Sequence, residues 1–196
     1  MLNMASRVLV LRTLDSSPPL ERFVEATIEA MSLTYPDMQW NDLGADRPND
    51  HFYRHTWRRA QAPWTIVEHF ADNSIRATWI EVQGEDDPDV TRIEGLLRPV
   101  LPVEAPKELL ERVLRNCGNE SLLARTALAH VGREVPQALT TCIEQALKSE
   151  DLGTFTAACM AAAMLPSPSF TPILEARRRN DPALARLIES TIARAG

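Results

Sequence analysis

The sequence predicts an α+β protein. A small N-terminal β-α-β-β-β sheet domain covers residues 1–84, and an all-α helical-repeat domain covers residues 87–196. Period-two alternation rich in Trp, Tyr, Phe, Ile and Thr runs between residues 51 and 82, the signature of strands. Apolar spacing of three and four residues takes over from Asp87 onwards. Acidic markers recur at Glu120, Asp151 and Asp181, about 30 residues apart, and each opens an apolar helical stretch. A fixed period in this range indicates stacked helical hairpins that bury their apolar faces against their neighbours.

Val8-Leu9-Val10-Leu11 sits in a segment, Arg7 to Leu14, that reads as the first strand. Ser16-Ser17-Pro18-Pro19 then starts a helix, with Ser17 as N-cap and proline at the first helical positions. Leu20, Phe23, Val24, Thr27, Ile28 and Met31 form its apolar stripe as far as about Leu33, and Tyr35-Pro36 ends it. Asn41 to Asp50 is polar, contains Gly44 and Pro48, and reads as a loop. Strands follow at His51–Arg59, Trp64–Phe70 and Ile75–Val82, the last two joined by a turn at Ala71-Asp72-Asn73-Ser74.

Alternation sorts these strands into two faces. Tyr53, Trp57, Trp64, Ile66, Phe70, Ile75, Ala77 and Trp79 should meet the helix. Arg54, Arg58, His69 and Arg76 fall on the opposite face, which forms a candidate anion-binding surface or a solvated outer face. His51 and His55 are four residues apart, about 13 Å along a strand at ~3.3 Å per residue, too far to share one metal ion. His130 lies in an apolar helix and reads as a core or boundary histidine.

The acidic run Gly84-Glu85-Asp86-Asp87 precedes Pro88. It is best explained as a helix start, with Asp87 as side-chain cap, Pro88 at the first helical position and Asp89 complementing the dipole. Asp87-Pro88-Asp89-Val90-Thr91-Arg92 lines up with Glu120-Ser121-Leu122-Leu123-Ala124-Arg125 and with Asp181-Pro182-Ala183-Leu184-Ala185-Arg186. Pro106, Leu109 and Val113 align with Pro136, Leu139 and Ile143, and then with Phe170 and Leu174. The repeating unit is thus a helix, a proline-containing turn and a second helix, over 87–116, 120–148 and 151–179, with a final lone helix at 181–195.

This register resembles the HEAT-like helical repeats, in particular the short variety of about 30 residues found in bilin-lyase-type proteins. The resemblance covers residues 87–195. Asp151 keeps the marker but has Thr156 where arginine recurs, and Pro99 and Pro102 shorten the first unit. It implies protein binding along the face lined by the second helices, which places Gln137, Thr141, Glu144, Gln145, Lys148, Arg177 and Arg178 at the surface. Arg177-Arg178-Arg179 is the one basic run, and its position at a helix end also suits the dipole.

Composition narrows the functions. The net charge is −6, which disfavours a general nucleic-acid binder. Lys107 and Lys148 are the only lysines, and arginine in every other cationic position fits a GC-rich bacterial genome. Cys117, Cys142 and Cys159 show neither a CxxC nor metal spacing and read as free thiols of a cytoplasmic protein. Val8–Leu11 is too short for a signal-peptide core, and no apolar run approaches the ~20 residues of a membrane span. No catalytic triad, phosphate-cradling glycine loop or carboxylate pair at convincing spacing is present, so no cofactor or metal is expected. The expected function is a non-catalytic protein–protein interaction module, an adaptor or assembly factor. One alternative is an immunity or antitoxin-type inhibitor of a bacterial toxin. Another is an enzyme or binder of a small anionic ligand using the sheet. Homo-oligomerisation stays open.

Overall fold

The computed structural model describes residues 4–12, 20–62 and 64–195. The predicted Ser17 cap and its prolines lie outside these residues, as do Thr13, Leu14 and Pro63. The α+β class is as expected: an antiparallel sheet followed by a run of helices. The chain divides into two compact units, residues 1–104 and 105–196.

The first unit contains β1 (Ala5–Leu11), α1 (Leu20–Thr34), β2 (Trp40–Asn49), β3 (Phe52–Arg59), β4 (Ile66–Asp72), β5 (Ala77–Gly84) and α2 (Asp87–Leu97). The sheet has five strands in the order β1-β5-β4-β3-β2, one more than the sequence predicts. The segment read as a polar loop pairs with β3 as the edge strand β2, through a register that shifts twice. Its ten residues expose nearly everything, so no alternation of apolar groups announces it. Gly44 at φ +92, Pro48 and the irregular register blunt this edge against further pairing. At the other edge, residues 101–104 return along β1, with Arg12 N donating to Pro102 O and Glu104 N to Val10 O.

One face of the sheet carries the core of this unit. Leu9, Leu11, Trp57, Val67, Ile80 and Val82 pack there with Val24, Ile28 and Met31 of α1 and with Val90, Ile93 and Leu97 of α2. The last three lie at i, i+3 and i+7 and form the single apolar stripe of α2. Burial of each such side chain contributes about 2 kcal/mol. Ion pairs reinforce the docking. Arg7 lies 2.6 Å from Asp87 and 3.9 Å from the buried Glu94, Arg59 pairs with Asp89, and Arg92 lies 2.7 Å from Asp37.

These contacts revise two expectations. Helix α2 is a second covering helix of the sheet, so the division falls at residue 104 and not at 84–87. Asp87 does not cap the helix: Asp86 precedes it without a side-chain cap bond, and the Asp87 carboxylate is turned to Arg7.

The second unit contains α3 (Pro106–Arg115), α4 (Glu120–His130), α5 (Gln137–Leu147), α6 (Leu152–Met164), α7 (Phe170–Asn180), a 3-10 turn at Pro182–Leu184 and α8 (Ala185–Ala195). Helices α3, α5 and α7 pack side by side in one row, and α4, α6 and α8 in another. The predicted anchors Leu109, Val113, Leu139, Ile143, Phe170 and Leu174 are all buried. Ala124, Ala127, Ala157, Ala158 and Ala161 are buried in the other row, where small side chains let helices approach closely.

The close sequential pairs are α3–α4, α5–α6 and α7–α8. The expected frame of first helix, turn and second helix is therefore offset by one helix. With α2 committed to the sheet, the described residues form three complete hairpins and no lone terminal helix. The acidic markers fall at the short turns inside the hairpins. Asn119 accepts from Leu122 N at 2.9 Å, and Asp151 from Thr154 N at 2.8 Å. The latter bond holds the Asp151 carboxyl below its ordinary range.

The cysteines also differ from expectation. Cys117, in the α3–α4 turn, is bonded to Cys142 of α5, with their Cα atoms 5.6 Å apart, inside the range a disulfide spans. Closing a loop of this length restricts the unfolded chain by roughly 3 kcal/mol. Cys159 stays a buried free thiol, with burial pushing its pKa up to about 11.

Ile93→Ala should lower the stability of the first unit by about 3 kcal/mol, from lost burial and the cavity left behind. Amide hydrogen exchange on the full chain checks this: protection in β1 and β5 should fall while α6 keeps its own. Equal loss in α6, with β1 and β5 unaffected, would show that α2 serves the helical unit.

Candidate functional site

The predicted anion-binding face does not assemble. β3 and β4 pair with Arg54 opposite Phe70, His55 opposite His69 and Arg58 opposite Ile66. His69 therefore shares the helix-covered face with Tyr53, His55 and Trp57, while Arg54 and Arg58 share the reverse face with Phe70 and Trp79. Alternation fixes parity within a strand but not across the β3–β4 connection, and β4 is apolar on both sides at Val67 and Phe70. Arg54 lies 3.3 Å from Asp46, and Arg76 sits at φ +50 in the β4–β5 turn. On the reverse face Phe70 stacks on Trp79 with ring centroids 5.0 Å apart, and Val8 and Val10 are buried.

A polar cluster that sequence reading missed lies beneath α1. His55 Nε2 is 2.7 Å from Asp42 Oδ1 of β2. The carboxylate can only accept, so this nitrogen carries the proton. His55 Nδ1 faces both Tyr53 OH at 3.2 Å and Glu25 Oε1 of α1 at 3.3 Å. The neutral ring accepts from the tyrosine, and the charged ring donates to the glutamate. Trp57 stacks on the imidazole at 4.0 Å. Arg47 of β2 lies over the Tyr53 ring and 3.4 Å from Glu21 of α1.

Partial burial alone would raise the Asp42 pKa, but the bonds from His55 and Gly44 N outweigh it and hold the carboxyl below its ordinary range. Burial and the nearby Glu21 and Glu25 charges push Tyr53 up to about 12. The cluster ties α1, the edge strand β2 and β3 together. Asp42 lay in the segment read as a loop, and nothing in the alternation links it to His55.

His69 is fully buried between these groups, and neither ring nitrogen has a hydrogen-bond partner. Its ring and that of Tyr53 meet edge to face, with centroids 5.5 Å apart. Burial, with a smaller contribution from His55, pushes its pKa down to about 4. His51 is exposed in the β2–β3 turn. His130 is the boundary histidine expected, with Nδ1 donating to Thr126 O at 2.8 Å. Among the described residues no His, Cys, Asp or Glu cluster could hold a metal ion, and no helix is long and apolar enough to cross a membrane. A groove of about 360 Å³ follows α1 beside Leu96 and Val100. The Thr27 and Thr34 hydroxyls donate to their own helix at Phe23 O and Ala30 O, so both are already engaged within the helix.

In the helical unit, α5 holds the middle of the α3–α5–α7 row. Leu139, Cys142, Ile143, Ala146 and Leu147 face inward. Gln137, Ala138, Thr141 and Gln145 face outward and carry no charge, with Lys148 exposed at the C-terminal end and Glu144 half-buried. Charged residues flank this stripe: Lys107, Glu111 and Arg115 are exposed on α3, and Glu175 and Arg179 on α7.

The basic run is largely used within the helical unit. Arg177 covers the Phe155 ring at 5.2 Å and lies 3.9 Å from Asp181, and Arg178 lies 3.5 Å from Glu189 of α8. The structure thus brings Gln137, Thr141, Glu144 and Lys148 onto one helix and turns Arg177 inward. No family model matches the chain, and neither a curated protein nor a solved structure matches it.

The depressed His69 pKa sets a pH dependence. The folded state keeps this ring neutral, so its contribution is complete above pH ~6.5 and declines as pH falls towards 4, by up to roughly 3 kcal/mol at ~1.4 kcal/mol per unit. Asp42, also depressed, adds a loss below its unfolded value. Urea unfolding at stepped pH should show the wild type losing stability between pH 6.5 and 4, and His69→Leu should flatten that window. Parallel curves for the two proteins would rule out His69 as the source.

Proposed function

We propose that this protein is a non-catalytic binding scaffold that docks a protein partner on the outward side of α3, α5 and α7. The observation that carries this reading is the uncharged stripe Gln137, Ala138, Thr141 and Gln145 at the centre of the row, flanked by charged residues on α3 and α7. Depletion of charge at the core and a polar rim is the composition of protein–protein interfaces. The packing of the helices in two rows supports this reading, and the HEAT-like resemblance is part of the same proposal.

Against the small-anion reading stands the placement of His69 on the face opposite Arg54 and Arg58. The His55 cluster links elements by hydrogen bonds among its own members, and its one buried unpartnered group, His69, is neutral at ordinary pH. Arg177 is assigned to the α6–α7–α8 packing and not to the partner.

A photo-crosslinking amino acid placed at Thr141, in cells of the source organism, should yield one discrete protein adduct, and the same group at Glu29 of α1 should yield none. With the partner so identified, Thr141→Arg should weaken binding at least tenfold, about 1.4 kcal/mol, and Arg179→Glu less than threefold. Adducts from Glu29 and none from Thr141 would place the interface elsewhere.

A further inference from the structure

We infer that the Cys117–Cys142 bridge is a redox lock on the α3–α5 surface; this rests on the scaffold reading above and adds its regulation. The α3–α4 turn, residues 116–119, is one place where the first hairpin is fastened to the second, beside the packing of α4 on α6. Cys117 is bonded to Cys142 of α5. Gly118 O accepts from Thr154 Oγ1 of α6 at 3.2 Å. Asn119 in the same turn caps α4 through Leu122 N. Glu120 lies so close to α6 that a side chain at Gly153 would collide with its carboxylate.

Of these fastenings only the disulfide responds to redox conditions. Cys117 is half-buried and Cys142 buried, so an incoming thiolate reaches the Cys117 sulfur first. Leu109 and Val113 are fully buried, and their burial does not need the bridge. Opening it loosens one end of α3 and its turn while the unit stays folded. Cys142 adjoins Thr141, so the bond fixes the uncharged stripe of α5 relative to the charged side of α3. The bridged form presents the two as one preorganised surface and binds its partner more tightly.

The chemistry is thiol–disulfide exchange with a low-molecular-weight thiol. The thiolate attacks Cys117 Sγ, and Cys142 Sγ leaves with the electron pair and takes a proton. A second thiolate then attacks the external sulfur of the mixed disulfide, and Cys117 leaves and is protonated. The protein gains two electrons and two protons, and two small thiols are oxidised to their disulfide.

The test is to equilibrate the full chain in glutathione buffers of stepped ratio, then follow alkylation by mass, circular dichroism and amide exchange. The oxidised chain, alkylated after unfolding, should take one alkyl group, at Cys159, and the reduced chain three. Helical content should be equal, while exchange in 113–122 and 137–146 should be at least tenfold faster in the reduced chain. Cys117→Ser should take two alkyl groups and show the exchange rates of the reduced chain in every buffer. Three alkyl groups in oxidised protein, equal exchange in the two states, or unfolding on reduction would each overturn the lock. Crosslinking from Thr141 should fall at least fivefold on reduction. Unchanged crosslinking despite faster exchange would overturn the coupling to the surface. No adduct in either state would instead sink the scaffold reading, with the lock decided by exchange alone.

Discussion

The architecture depends on where α2 buries its one apolar stripe. Val90, Ile93 and Leu97 are fully inaccessible and share a core with Leu9, Leu11, Ile80 and Val82 of the sheet. A helix of eleven residues with a stripe of this width can satisfy one neighbour surface, not two. Once α2 covers the sheet, the helical unit must begin with α3, and its helices pair as α3–α4, α5–α6 and α7–α8. Charge acts with packing here: Asp87, Asp89 and Glu94 meet Arg7 and Arg59 of the strands. The pairs at Glu94 and Asp89 are partly shielded from water and contribute more than exposed pairs such as that at Asp87, whose worth is commonly under ~1 kcal/mol.

Much of this was legible in the chain. The 30-residue recurrence of Leu109/Val113, Leu139/Ile143 and Phe170/Leu174 identified the buried anchors of one row correctly, because each must fill the same gap between neighbours. The frame was not legible, since periodicity marks equivalent helices without saying which of two adjacent helices each one pairs with. The Asp-Pro-Asp-Val-Thr-Arg stretch has the repeat's local form because any helix with a proline start and an acidic first turn has it. Only the tertiary partner separates α2 from its sequence analogues.

The sheet shows a similar limit. Alternation within β3 and β4 was sound, but the parity between them depends on the connection around residues 60–65, and Val67 and Phe70 make either face of β4 acceptable in a core. The placement of His69 with the exposed arginines follows from that single slip. The edge strand β2 went unseen because an edge defended by Gly44, Asp46, Pro48 and a shifting register lacks the apolar periodicity that reveals inner strands. Its tether, Asp42 to His55, is a contact between distant residues that only the fold creates. In the helical unit the Cys117–Cys142 bond was similarly hidden, since spacing alone cannot distinguish a bridged pair from two free thiols.

The two units thus use different means to stay ordered. The sheet is closed by two helices and a polar cluster beneath α1. The helical rows are closed by repeated aliphatic anchors and by the turn at 116–119. The division at Glu104 is the claim from which the hairpin frame, and with it the uncharged stripe on α5, follows. Expressing residues 105–196 alone, and comparing its cooperative thermal unfolding with that of residues 87–196, tests this most directly. The shorter fragment should fold cooperatively with native helical content, and adding residues 87–104 should not raise its midpoint. A fragment that is unfolded at 105–196 and folded at 87–196 would contradict that division, and would return α2 to the helical array.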